Sequence, residues 1–99
     1  MAVTGGLTEM KKIASMAEAH YVSIAPHNPI GPLATTSNVH FAATAPNFIV
    51  LEFHADDVGV RSEILREPMK LEDGYLLLPD APGLGVELDE SALADAIVA

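Results

Sequence analysis

The sequence predicts an α/β fold of parallel βα units, followed by a C-terminal hairpin and a short helix. Three observations carry that expectation. Residues 7 to 52 alternate between helical apolar spacing and short apolar runs, in the order helix, strand, helix, strand, as βα units beside a parallel sheet do. The two runs, Tyr21–Ala25 and Phe48–Leu51, are short and mostly apolar, like strands covered on both faces. The chain is 49% hydrophobic over 99 residues, which leaves more apolar side chains than one small core hides and points to surface meant for a neighbour.

Each element has a local cause. Met1–Thr4 reads as the tail of a strand, and Gly5-Gly6 breaks the backbone after it. Leu7, Met10, Ile13, Ala14 and Ala17 then recur at helical spacing and form one apolar face. Thr8 is the expected N-cap, Glu9 suits the first turn, and His20 closes the helix as a surface residue. Tyr21–Ala25 follows almost without a loop. Ala25-Pro26-His27-Asn28-Pro29-Ile30-Gly31-Pro32 then turns the chain over. Its three prolines stiffen the backbone, and Gly31 offers a position that tolerates positive φ. The next helix is expected from Gly31 to about Thr44, with Leu33, Ala34, Val39 and Ala42 inward. Thr35, Thr36 and Ser37 are poor interior helix formers, so packing must hold it. His40 is expected to be packed or solvated.

Ala45-Pro46-Asn47 stops that helix and Phe48–Leu51 forms the second strand, ending in Glu52. Beyond it the pattern changes. Phe53–Asp57 reads as loop, and Val58–Glu67 holds a short helix that Pro68 ends. Met69–Leu71 and Tyr75–Leu78 form a hairpin about Asp73-Gly74. Pro79–Gly85 is loop, and Asp89 caps a terminal helix reaching about Val98.

Composition excludes whole classes of function. Fourteen acidic and five basic residues give a formal charge of −9, which repels nucleic acid and anionic membrane. The absence of cysteine removes disulfides, thiolate catalysis and cysteine-based zinc sites, and fits a cytoplasmic protein. No signal peptide precedes residue 25, and no apolar run reaches the length of a membrane span. There is no His-Glu-x-x-His, no phosphate-binding loop and no nucleophile elbow.

Two residues carry the candidate chemistry. His27 and Glu52 each stand just after a strand, and the carboxyl ends of parallel strands share one rim where ligands bind. An imidazole and a carboxylate there suit an acid–base catalyst and a substrate-orienting group. Glu52, His54 and Asp56 also alternate, which on an extended strand would put three possible metal ligands on one face. A polar loop after a strand is the plainer reading of that alternation.

Taken together, Gly5-Gly6-Leu7-Thr8-Glu9-Met10-Lys11-Lys12-Ile13-Ala14, the Ala25–Pro32 stretch, Pro46-Asn47, Leu51-Glu52 and Pro82-Gly83-Leu84-Gly85-Val86-Glu87 resemble the C-terminal half of an enolase-superfamily enzyme. The likeness covers nearly the whole chain and points to the acid-sugar dehydratase branch, of D-galactonate dehydratase type. The resemblance implies a modified (β/α)-barrel with an α+β capping domain, residues 1–57 forming its last βα units and 58–99 returning toward the cap. It implies Mg²⁺ held by three carboxylates on earlier strands, abstraction of the proton α to a sugar carboxylate, and loss of the β-hydroxyl as water. His27 matches the general acid–base catalyst, and Glu52 the acidic residue that holds the substrate or developing oxyanion. An aspartate that pairs with the histidine would fall just before Met1. The expectation is therefore the final portion of a dehydratase, inactive and metal-free alone, that self-associates or pairs with a complementary N-terminal fragment. Its alternatives are one chain of a split enzyme and a non-catalytic interaction module.

Overall fold

The computed structural model describes residues 2–94. Its helices are α1 (Leu7–Ala19), α2 (Pro32–Ala42) and α3 (Glu90–Leu93), and its ladder strands are β1 (Leu71–Glu72) and β2 (Tyr75–Leu76). Short 3-10 turns span Ala55–Asp57 and Val60–Ile64. Among the described residues no helix is long and apolar enough to cross a membrane.

Residues 2–5 form a turn, not the tail of a strand; Met1 lies outside the described residues. Gly6, not Thr8, is the N-cap of α1. Its carbonyl accepts the first helical bond from Met10 N at 3.1 Å, which places Thr8 inside the helix. Of the expected apolar face only Met10 and Ala14 are buried. They meet Phe41 and Ala45, with Ile24 and Phe48 packed alongside. α1 lies on α2 along this narrow line, so the flanking Leu7 and Ile13 stay exposed.

The exit from α1 corrects the expected start of the first strand. Tyr21 has φ 57 and is fully exposed. Its N–H donates to Glu18 O at 2.9 Å, and Val22 N donates to Ala17 O at 2.9 Å. Tyr21 thus takes the left-handed position that closes a helix, a place usually given to glycine. Only after it does the chain extend. Ile24 bridges Phe48 in parallel, with Ile24 N donating to Asn47 O at 2.8 Å and Ile49 N to Ile24 O at 3.1 Å. Glu52 N reaches Pro26 O at 3.3 Å. The two segments run side by side in one direction, but they are shorter as ladders than their apolar runs. Asn47 secures the junction, its side-chain amide donating to Ala14 O at 3.0 Å and Val22 O at 2.9 Å.

α2 divides along its length. Phe41 is buried against α1, whereas Thr35 is buried on Asp57, Thr36 on Met69 and Asn38 on Asn28. Leu33, expected inward, is exposed, and Ala34 and Ala42 are half-buried. His40 is half-buried and donates from Nε2 to Leu84 O at 3.0 Å.

The rest of the chain is held by short backbone pairings. β1 and β2 pair antiparallel about Asp73-Gly74, with Leu71 opposite Leu76. Leu65 bridges Leu88, and Arg66 N donates to Glu87 O at 2.9 Å. Asp89 caps α3 by accepting from Ser91 N and Ala92 N. The expected extension of this helix to Val98 lies outside the described residues.

Candidate functional site

Pro26, buried, ends the first extended segment, and the next residue carries its side chain into solvent. His27 Nδ1 is hydrogen-bonded to Glu52 Oε2. The imidazole and carboxylate are 72% and 50% exposed, so both are open to a ligand. Two residues named from their places after successive strands are in contact across the rim.

Glu52 Oε2 also accepts from Asn28 N at 3.2 Å. These two donors hold the Glu52 carboxyl below its ordinary value of 4.5, the Asn28 backbone N–H contributing most and the His27 hydrogen bond next. Glu52 is therefore a carboxylate at neutral pH, and a carboxylate only accepts. The proton between the pair then belongs to His27 Nδ1, so in the neutral tautomer of the ring it is Nε2 that carries the lone pair. The geometry presents a base whose tautomer is set by its neighbour.

The loop beneath the pair is clamped by groups that composition and spacing did not single out. Asn28 is 1% exposed. Its Nδ2 donates to Thr35 Oγ1 at 2.7 Å, and its Oδ1 accepts from Asn38 Nδ2 at 3.0 Å. Thr35 donates in turn to Asp57 Oδ2 at 2.5 Å. Asp57 is fully buried and pairs with Arg61 at 3.3 Å. Arg61 Nη2 donates to Ile30 O at 2.8 Å. Gly31 has φ 140, and a Cβ there would lie 3.3 Å from Arg61 Nη2. The one sequence signal was the run of hydroxyl side chains in α2, poor helix formers that need a reason to be buried.

The alternating Glu52, His54 and Asp56 do not converge. Residues 55–57 turn into a 3-10 helix, which breaks the period of two, and Glu52 is already turned to His27. Among the described residues no group of three His, Asp or Glu stands where it could hold a metal ion. The residues in hand therefore do not fit the magnesium site that the resemblance implies.

Comparison with known proteins places this chain in a family. The enolase C-terminal domain-like family matches residues 1–92, and the chain belongs to that family. It is 35% identical over 89 residues to a D-xylonate dehydratase of Haloferax volcanii, covering 90% of this chain and 22% of that enzyme. It is 39% identical over 95 residues to a D-galactonate dehydratase of Cronobacter sakazakii, covering 87% of this chain and 24% of that one. Among solved structures it superposes with TM-score 0.82 and 36% identity on a Burkholderia xenovorans LB400 protein, assigned as an L-alanine-DL-glutamate epimerase and bound to magnesium and fumarate. That match covers 91% of this chain and 22% of the other. The chain thus spans about a quarter of the length of the relatives it matches.

Proposed function

We propose that this chain is the C-terminal part of a Mg-dependent acid-sugar dehydratase and carries its acid–base rim. The observation that carries the reading is the His27–Glu52 pair, joined where two parallel segments end, in a chain similar along its length to dehydratases of sugar acids.

His27 Nε2 takes the proton α to the substrate carboxylate, and the electron pair left on that carbon expels the β-hydroxyl. The hydroxyl leaves as water with a proton that the imidazolium can return. The product enol becomes the 2-oxo-3-deoxy acid. Glu52 holds the imidazole through Oε2 and stabilises its charged form, which leaves Oε1 to accept from a hydroxyl of the sugar acid. The metal carboxylates come from outside this chain's described residues, so the chain by itself is inactive.

Residues 1–57 supply the last βα units of the barrel and 58–99 the return toward a capping domain. A groove of about 430 Å³ lies between the Phe48–Phe53 segment and the β1–β2 hairpin, lined by Ile49, Val50, Tyr75 and Leu78 among others. All four of these side chains are exposed. This apolar face favours a second reading alongside the first: the chain binds a complementary N-terminal chain, or a second copy of itself, through it.

Complementation tests both. The chain is mixed with a separately expressed upstream portion of the Cronobacter sakazakii dehydratase, magnesium and D-galactonate. We expect the 2-oxo-3-deoxy acid to form only in the mixture and to be lost with His27→Ala. Turnover by the isolated chain, or full turnover by His27→Ala in the mixture, defeats the catalytic reading. A monomer at all concentrations in size-exclusion chromatography, with no complex in the mixture, defeats the docking one.

A further inference from the structure

We propose that Asp57, acting through Thr35 and Asn28, is the positioning residue of the His27–Glu52 pair. The inference rests on reading that pair as the functional site, but its geometry is testable without any activity.

The argument is one of hydrogen-bond direction. Asp57 is fully buried and ion-paired with Arg61, and as a carboxylate it offers only acceptors. Thr35 has a single hydroxyl proton and must give it to Asp57, at 2.5 Å. The Thr35 oxygen can then only accept from Asn28, so Asn28 must turn Nδ2 toward it, at 2.7 Å. That orientation leaves Asn28 Oδ1 to accept from Asn38 Nδ2, at 3.0 Å. Both ends of the Asn28 side chain are thereby fixed. Its backbone N–H is held toward Glu52 Oε2, at 3.2 Å, the same oxygen that His27 Nδ1 meets. Arg61 closes the far side of the loop through Ile30 O, at 2.8 Å. One acidic residue with no exposed surface thus sets the sense of the Thr35 and Asn28 side-chain bonds beneath the open pair.

A cluster kept for stability alone would not look like this. Buried ion pairs and polar relays are commonly no better for stability than apolar packing of the same volume. Here Asn38 Oδ1 is buried with no hydrogen-bond partner among the described residues, a cost the cluster carries. What the relay supplies is direction, which apolar packing cannot.

The test uses the whole 99-residue chain and NMR of the Asn28 amide and the His27 ring. Thr35→Val removes the hydroxyl while keeping the shape; Thr35→Ser keeps the hydroxyl. We expect Thr35→Val to speed exchange of the Asn28 backbone amide by about tenfold or more. The His27 ring nitrogen signals should move toward those of Glu52→Gln, and Thr35→Ser should restore both. A folded Thr35→Val that leaves exchange and ring signals as in the parent overturns the proposal. Should Thr35→Val not fold, the parent chain decides. Slowly exchanging Nδ2 protons on Asn28 support the relay, and exchange at the rate of a solvated amide overturns it. An intact relay beside a His27→Ala chain that still supports turnover would sink the catalytic reading and leave the positioning geometry standing.

Discussion

The two halves of α2 do opposite things. The C-terminal part buries Phe41 against Met10, Ala14 and Ala45 of the apolar core. The part before it, one turn away, buries Thr35 and Asn38 under the loop that carries His27. Apolar contact has no direction, so the first half stabilises the fold while tolerating changes of shape. Hydrogen bonds have direction and leave a large penalty when broken, so the second half specifies one arrangement of the loop. The helix anchors the domain at one end and aims the site at the other.

The contrast is sharpest in mutations. Phe41→Ala should cost about 3–5 kcal/mol, seen as a lowered urea midpoint, because a 2% exposed ring leaves a cavity; Phe41→Leu should cost under about 1.5 kcal/mol. Similar losses for both would mean that the core end is as exacting as the polar end. Asp57→Ala should cost about 1–3 kcal/mol by leaving Thr35 without its acceptor and Arg61 without its ion-pair partner, and it should disturb the Asn28 amide resonance where Phe41→Leu does not. If both variants move that resonance equally, the halves are not separable.

A smaller effect lies outside both halves. Tyr21 pays for its left-handed φ of 57 with no compensating burial. Tyr21→Gly should therefore raise stability by about 0.5–1 kcal/mol in denaturant titration. A loss instead would show that the exposed ring has a partner.

The smallest effect concerns the pair itself. The folded carboxyl of Glu52 titrates below its ordinary 4.5, through the Asn28 N–H first and His27 second. The carboxylate is favoured by folding, so its contribution is complete above about 4.5 and is lost as pH falls through the folded value. Both side chains are largely exposed, so salt should weaken the effect. Unfolding curves of Glu52→Gln against the parent should converge on the acid side and separate modestly toward neutral pH. Separation that grows toward acid would reverse the sign.

What could be read along the chain was whatever neighbouring residues decide among themselves. Apolar spacing marked α1, α2 and the short run after each, and the Asp89 cap of α3 followed from its type and place. Strand ends put His27 and Glu52 on one rim. The same local reading misplaced the start of α1 at Thr8 and began the first strand at Tyr21, because Gly6 and Tyr21 are defined by backbone angles. It also turned Leu33 inward. Only the tertiary structure chose the burial of Thr35 and Asn38 over Leu33, and it alone made Asp57 part of the site. Thr35 and Asp57 are 22 residues apart and Asn28 and Glu52 are 24 apart. No periodicity spans such separations. A polar side chain is worth burying only when its partner is already in place, and the folded chain brings that partner.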